Sequence, residues 1–265
     1  MNNLTHQFHG YFCTPLIWDN TIEGIEQFSI QKIDEPQLTI PIPRNLKLGH
    51  LVEYFVKQEF YAHPSIEIIA QNIQVNGDKE TLGEFDFFIR SNNSYYQIEV
   101  AYKFYLYDPK VGESAIDHWI GPNRKDNLKA KLQKINERQF PLLHHPKSAN
   151  ELAIYSIPVK DVVQRCYFKG QLFLPENCIE DVTPLNSEAI AGYYLHFNQI
   201  ESLSDCKIYI PSKHDWISDP HSYVDWLSYV DAKAKLEESI NQNRSKMIWI
   251  KNKQGNLRKA FVVWW

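Results

Sequence analysis

Residues 83–107, GEFDFFIRSNNSYYQIEVAYKFYLY, set the tightest limit on what this chain can fold into. The run is aromatic and β-branched enough for buried sheet, yet it carries Glu84, Asp86, Glu99 and Lys103. A charge taken out of water unpaired costs several kcal/mol or gives up its ionisation. SNNS at 91–94 punctuates the run as a turn, so it reads as two strands, 84–90 and 95–106. Alternation puts Glu84, Asp86 and Phe88 on one face and Phe85, Phe87 and Ile89 on the other. With the turn centred on Asn92 and Asn93, Arg90 pairs with Tyr95 and the register carries Asp86 opposite Glu99. Facing carboxylates destabilise a sheet unless something positive lies between them. Lys103 shares the Glu99 face, and hard cations such as Mg²⁺ or Mn²⁺ bind through one or two carboxylates plus water. The competing explanation is structural, each acid being paired with Lys or Arg. Glu84 reads either as a further ligand or as a solvent-facing strand end, the second being preferred.

The elements around the hairpin form a helix, three strands, a helix and a strand. NLKLGHLVEYFVKQEF has helical spacing at Leu48, Leu51, Val52, Phe55, Val56 and Phe60, which predicts a helix over 46–61. Residues 65–75 predict a strand and 123–138 a basic helix with Leu128, Leu132 and Ile135 inward. Strands are predicted at 162–175 and 207–211, a helix from about 218 to 240, and a closing strand pair from MIWIK and RKAFVVWW. This order predicts an α/β fold, with a core over 1–180 and a C-terminal α+β subdomain over 181–265.

Length alone does not decide domain number among the 265 residues, of which 43% are hydrophobic. No stretch is apolar and long enough to span a bilayer, and the start lacks a signal-peptide pattern. Cys13, Cys166, Cys178 and Cys206 have no C-x-x-C spacing, so a reduced, cytoplasmic setting is expected. Net charge is −4, which counts against nucleic-acid binding overall. Locally, residues 121–138 hold six basic and two acidic side chains, and 241–265 hold six basic and none acidic. Such runs are either solvated faces or phosphate-binding surfaces. Arg124, Lys125, Lys129 and Lys131 are the candidates for backbone contact, near a predicted helix start. Serine hydrolase, P-loop and dinucleotide fingerprints are absent from the sequence.

An acid on one strand facing Glu-x-Lys on its antiparallel neighbour resembles the PD-(D/E)XK nuclease superfamily, the restriction-endonuclease-like fold. That resemblance implies a mixed sheet flanked by helices, Asp86 and Glu99 as ligands of Mg²⁺ or Mn²⁺, Lys103 as the catalytic lysine, and Glu53 as a further acid from the preceding helix. More of the chain is similar to the uncharacterised bacterial family called domain of unknown function 1853, through LGHLVEYF, LGEFDFFIR, YQIEVAYKFYL, WIGPNRKDNLKAKL and KGQLFLP. The usual lysine place, two residues after the glutamate, is Ala101, and Lys103 lies four residues on, about 13 Å along a strand. The resemblance implies a metal-dependent nuclease acting on DNA or RNA. Its rival is a catalytically degenerate module that binds nucleic acid or a protein partner.

Overall fold

The computed structural model describes residues 3–19, 21–178 and 180–265. In chain order its main elements are α1 (Asn3–Cys13), β1 (Thr21–Ile22), β2 (Ile25–Glu26), α2 (Leu48–Ala62), β3 (Ile66–Asn76), β4 (Thr81–Ser91), β5 (Ser94–Tyr107), β6 (Trp119–Ile120), α3 (Leu128–Lys134), α4 (Ser148–Ile154), β7 (Val162–Pro175), β8 (Ile190–His196), β9 (Lys207–Tyr209), α5 (Tyr229–Asn241), β10 (Lys246–Lys251) and β11 (Leu257–Val263). The strands follow the order β3-β4-β5-β7-β8-β11-β10-β9 in a mixed sheet, with β6 beside β5. The expected α/β class, a large mixed sheet with helices, is the class observed.

The chain divides into two compact units, and neither is continuous in sequence. One comprises residues 16–102 and 130–169, the other 1–15, 103–129 and 170–265. β5 and β7 each begin in the first of these units and end in the second.

In the unit built from 16–102 and 130–169, β3 and β4 are antiparallel, as are β4 and β5. The turn at Asn92 and Asn93 takes φ of 49° and 64°. Left-handed backbone at both central residues matches the twist of the flanking strands, and asparagine tolerates it better than most. Ser91↔Ser94 and Arg90↔Tyr95 pair as the sequence predicts. Helix α2 buries Leu51, Val52, Phe55, Val56 and Phe60 and stops before Pro64, which disfavours helical backbone at His63. Phe60 meets Phe87 edge-on at 5.7 Å. A separate cluster joins Ala70, Ile73, Val75, Phe85 and Phe88 to Leu142, Leu143, Leu152 and Ile157.

Those two packings correct the strict alternation expected for β4. Phe85 and Phe88, three residues apart, share one cluster and touch at 5.1 Å, while Phe87 packs elsewhere. The register shifts between Ile68 and Ala70, and Asn72 takes a φ of 52°. A bulge of this kind re-aims neighbouring side chains, and the residue between Phe85 and Phe87 is Asp86.

In the other unit, β7, β8 and β11 run parallel, and β10 and β9 continue antiparallel. Helix α5 places Ala232 and Leu236 against Leu195, Ile208, Ile248 and Val262. It begins later than expected because Ser228 is its cap, its side chain accepting from Asp231 N–H. The expected strand pair at the end is present as β10 and β11. The sequence reading has no counterpart for α1 or β8.

Candidate functional site

Three acids come together around β4. Asp86 stands on β4, Glu99 on β5 and Glu53 on the first turns of α2. The β4–β5 ladder runs from Ser91↔Ser94 to Phe87↔Ile98. One step further, where the same register would set Asp86 against Glu99, the Asp86 Oδ2 accepts the backbone N–H of Val100 at 2.7 Å. A side chain thus takes a donor that regular sheet would give to backbone.

The electrostatics follow from that placement. Burial pushes the Asp86 carboxyl well above its ordinary range; Glu99, and more weakly Glu53, push the same way, against the Val100 hydrogen bond and Lys131. Desolvation rather than repulsion between the two facing acids is the leading cause. Glu99 is held from both sides: Lys131 Nζ donates to Oε1 at 3.0 Å and Gln139 Nε2 to Oε2 at 3.0 Å. The Glu99 side chain is 5% exposed and that of Lys131 17%. Burial alone would lower Lys131, but Glu99, Cys166 and Asp86 outweigh it and leave its pKa raised. The buried Cys166 thiol beside them is pushed well up, chiefly by desolvation. Glu53 Oε2 accepts from Asn72 Nδ2 at 3.0 Å. Beside it lies a pocket of about 300 Å³ lined by Glu53, Tyr54, Lys57, Gln71, Asn72 and Phe87.

Lys103, expected beside Glu99, is engaged elsewhere: its Nζ pairs with Asp126 at 2.7 Å, both side chains well exposed. Lys131 supplies the cation instead. Leu128, Lys131, Leu132 and Ile135 follow helical spacing, so Lys131 lies on the stripe expected to face inward. That spacing was the available signal, and reading the segment as a basic surface hid it. Gln139 arrives by a second departure. The predicted helix over 123–138 starts only at Leu128, after a turn in which Arg124 takes a φ of 56°, and continues beyond α3 as a π-helix over Ile135–Gln139.

The four cations expected at a phosphate backbone are placed as follows. Arg124 donates to Asp108 at 2.9 Å and lies over the Trp265 ring at 4.5 Å. Lys129 pairs with Asp117 at 2.7 Å, Lys131 pairs with Glu99 at 3.0 Å, and Lys125 is exposed. Glu84 accepts from Gln74 at 3.4 Å and has no part in the cluster.

Asp86 and Glu99 offer the hard oxygens that Mg²⁺ or Mn²⁺ prefers, and a cation would have to displace the proton that burial favours on Asp86. Among the described residues no group of three or more His, Cys, Asp or Glu side chains is arranged to hold a metal ion. A cation would therefore rest on two carboxylates with water completing its shell, a mode that suits magnesium. No helix among the described residues is long and apolar enough to cross a membrane. No curated protein and no solved structure matches the chain at a significant level. The family described as Domain of unknown function (DUF1853) matches residues 7–263, and the chain belongs to that family.

Proposed function

We propose that the protein is a metal-dependent nuclease that hydrolyses phosphodiester bonds in DNA or RNA, with Asp86 and Glu99 holding Mg²⁺ or Mn²⁺. The observation that carries this reading is Lys131 Nζ, 3.0 Å from Glu99, on a largely covered side chain that also feels the charge of Asp86. Two acids and a lysine meet there on β4, β5 and α3. The order α2, three antiparallel strands, α3, β7 over residues 48–175 supports a restriction-endonuclease-like core. Lys131 takes the role expected of Lys103, and Glu53 adds negative charge from α2. The bound metal would supply charge neutralisation and a water of lowered pKa. The chain's own residues orient that site: Val100 N–H fixes Asp86, Gln139 fixes Glu99, and Lys131 is placed to stabilise a developing oxyanion. None of the four cysteines is in a disulfide among the described residues, which fits a cytoplasmic setting.

The test is cleavage of labelled single- and double-stranded DNA and RNA with Mg²⁺ or Mn²⁺, run beside Mn²⁺ binding followed by electron paramagnetic resonance. Wild type should bind Mn²⁺ and cleave at least one substrate. Asp86→Asn should lose the metal, and Glu99→Gln should lose cleavage. Wild type that binds no Mn²⁺ and cleaves nothing would sink the catalytic reading. A degenerate binding module then takes its place, and one observation already favours that rival: both Glu99 oxygens have protein donors.

A further inference from the structure

Resting on the nucleic-acid reading above, we infer that the pocket beside Glu53 receives one unpaired base of a single-stranded nucleic acid, read by Gln71 and stacked on Tyr54. The cavity measures about 300 Å³ and is lined by two residues of β3, three of α2 and Phe87 of β4. That is the low end for small-molecule sites, the scale of one nucleoside rather than a duplex.

Its lining has the chemistry a base requires. Gln71 Oε1 is buried without a hydrogen-bond partner among the described residues. An unsatisfied buried carbonyl is costly, and an exocyclic amine would satisfy it. A glutamine amide offers a donor and an acceptor side by side and matches adenine's amine and ring nitrogen. Tyr54, half-buried on α2, offers an aromatic face, and stacking on such a face holds bases in single-strand sites. Lys57, one helical turn after Glu53, has no ion-pair partner among the described residues and is available to the adjoining phosphate. The expected basic segment is the poorer candidate, since Arg124, Lys129 and Lys131 are each paired with an acid. A paired base would have to leave its stack to enter, so the occupant is single-stranded. Glu53 places the pocket against the acid cluster, because its charge acts on Asp86.

The experiment is fluorescence anisotropy of the full chain with fluorescein-labelled oligo(dA), oligo(dT) and duplex DNA, in EDTA so that cleavage plays no part. Wild type should prefer oligo(dA) over oligo(dT), and either over duplex. Tyr54→Ala and Gln71→Met should each weaken oligo(dA) binding about tenfold, the scale of one lost stacked base. Gln71→Met should also erase the preference for adenine, whereas Lys79→Ala, an exposed lysine in the same unit, should change nothing. Circular dichroism melts confirm folding, and Gln71→Met keeps the side-chain volume if Tyr54→Ala proves unstable. Wild-type binding that survives both pocket variants overturns the pocket and leaves the nucleic-acid reading standing. Wild type that binds none of the three probes overturns the pocket and, for DNA, the nucleic-acid reading with it.

Discussion

At the scale of single residues, the acid cluster makes opposite demands on its members. Asp86 has a folded-state pKa above its unfolded value, so the folded state holds the extra proton. Stability from this group is present at low pH and falls as pH rises from the ordinary carboxylate range through the raised value. At neutral pH Asp86 is therefore a burden. Asp86→Asn should raise metal-free stability by roughly 1 kcal/mol in urea titrations, because an amide oxygen still accepts from Val100. A loss of stability would show that Asp86 is a structural ion-pair partner. Lys131→Met should do the reverse, costing about 3 kcal/mol or more by leaving Glu99 buried and unpaired. Lys103→Ala should cost well under about 1 kcal/mol, since its pair with Asp126 is solvated. Equal costs for the two lysines would refute this division. Lys259, with a side chain 2% exposed, provides a further test in the other unit. Desolvation lowers it to about 8, against Asp219. Between about 8 and the ordinary lysine value near 10.4 the unfolded chain holds more protons, so stability should rise with pH across that window. Lys259→Met should abolish the rise in melts taken across it.

Among elements, α3 and its π-helical continuation decide whether the cluster is assembled. Five residues, Ile135–Gln139, widen the helix before Pro141, and the extra residue of a π-turn advances everything after it by about 100° relative to an α-helix. Inserting an alanine after Asn136 should turn Gln139 by about a further 100° and swing it away from Glu99. The expected outcome is lower stability and, on the catalytic reading, weaker Mn²⁺ binding. Unchanged melts would mean that the π-turn has no bearing on the site. Elements were the most legible feature of the sequence. SNNS fixed the hairpin register because two asparagines can sit in left-handed backbone, and α2 was readable because its stripe of six apolar residues is unbroken. What stayed hidden was non-local. A period-two rule cannot show that the neighbouring strand shifts register between Ile68 and Ala70, or that Phe85 and Phe88 share one cluster. Lys131 has the composition of a surface residue, and only its place on the apolar stripe disclosed burial. The residues 190–196 of β8 (IAGYYLH) carry glycine and no alternation, since parallel strands covered on both faces do not need it.

The whole molecule is organised by interleaving. One unit recruits residues 1–15, 103–129 and 170–265, so a cut at 180 passes through its interior. A fragment of residues 1–180 would keep α1 and β6 of this unit but lose β8, β9, β10, β11 and α5. It should expose the aromatic faces of Phe104 and Phe173, which meet Phe261 at 6.4 and 4.8 Å, and bind a hydrophobic dye. A monomeric 1–180 fragment with a cooperative melt and no dye binding would show that those residues stand alone.

That same interleaving sets a timetable for birth on the ribosome. The unit made of 16–102 and 130–169 is fully synthesised once residue 169 has cleared the exit tunnel. Its companion must wait for Leu257–Val263, far downstream of residue 169, before β8 gains β11 as its second parallel neighbour. At about 5–20 residues per second, the nascent chain spends several seconds with one unit complete and β8 still lacking β11. A message broken between those two points would thus release a chain with one unit complete and the other without β11, and holdase chaperones would have those seconds in which to act on the unfinished unit.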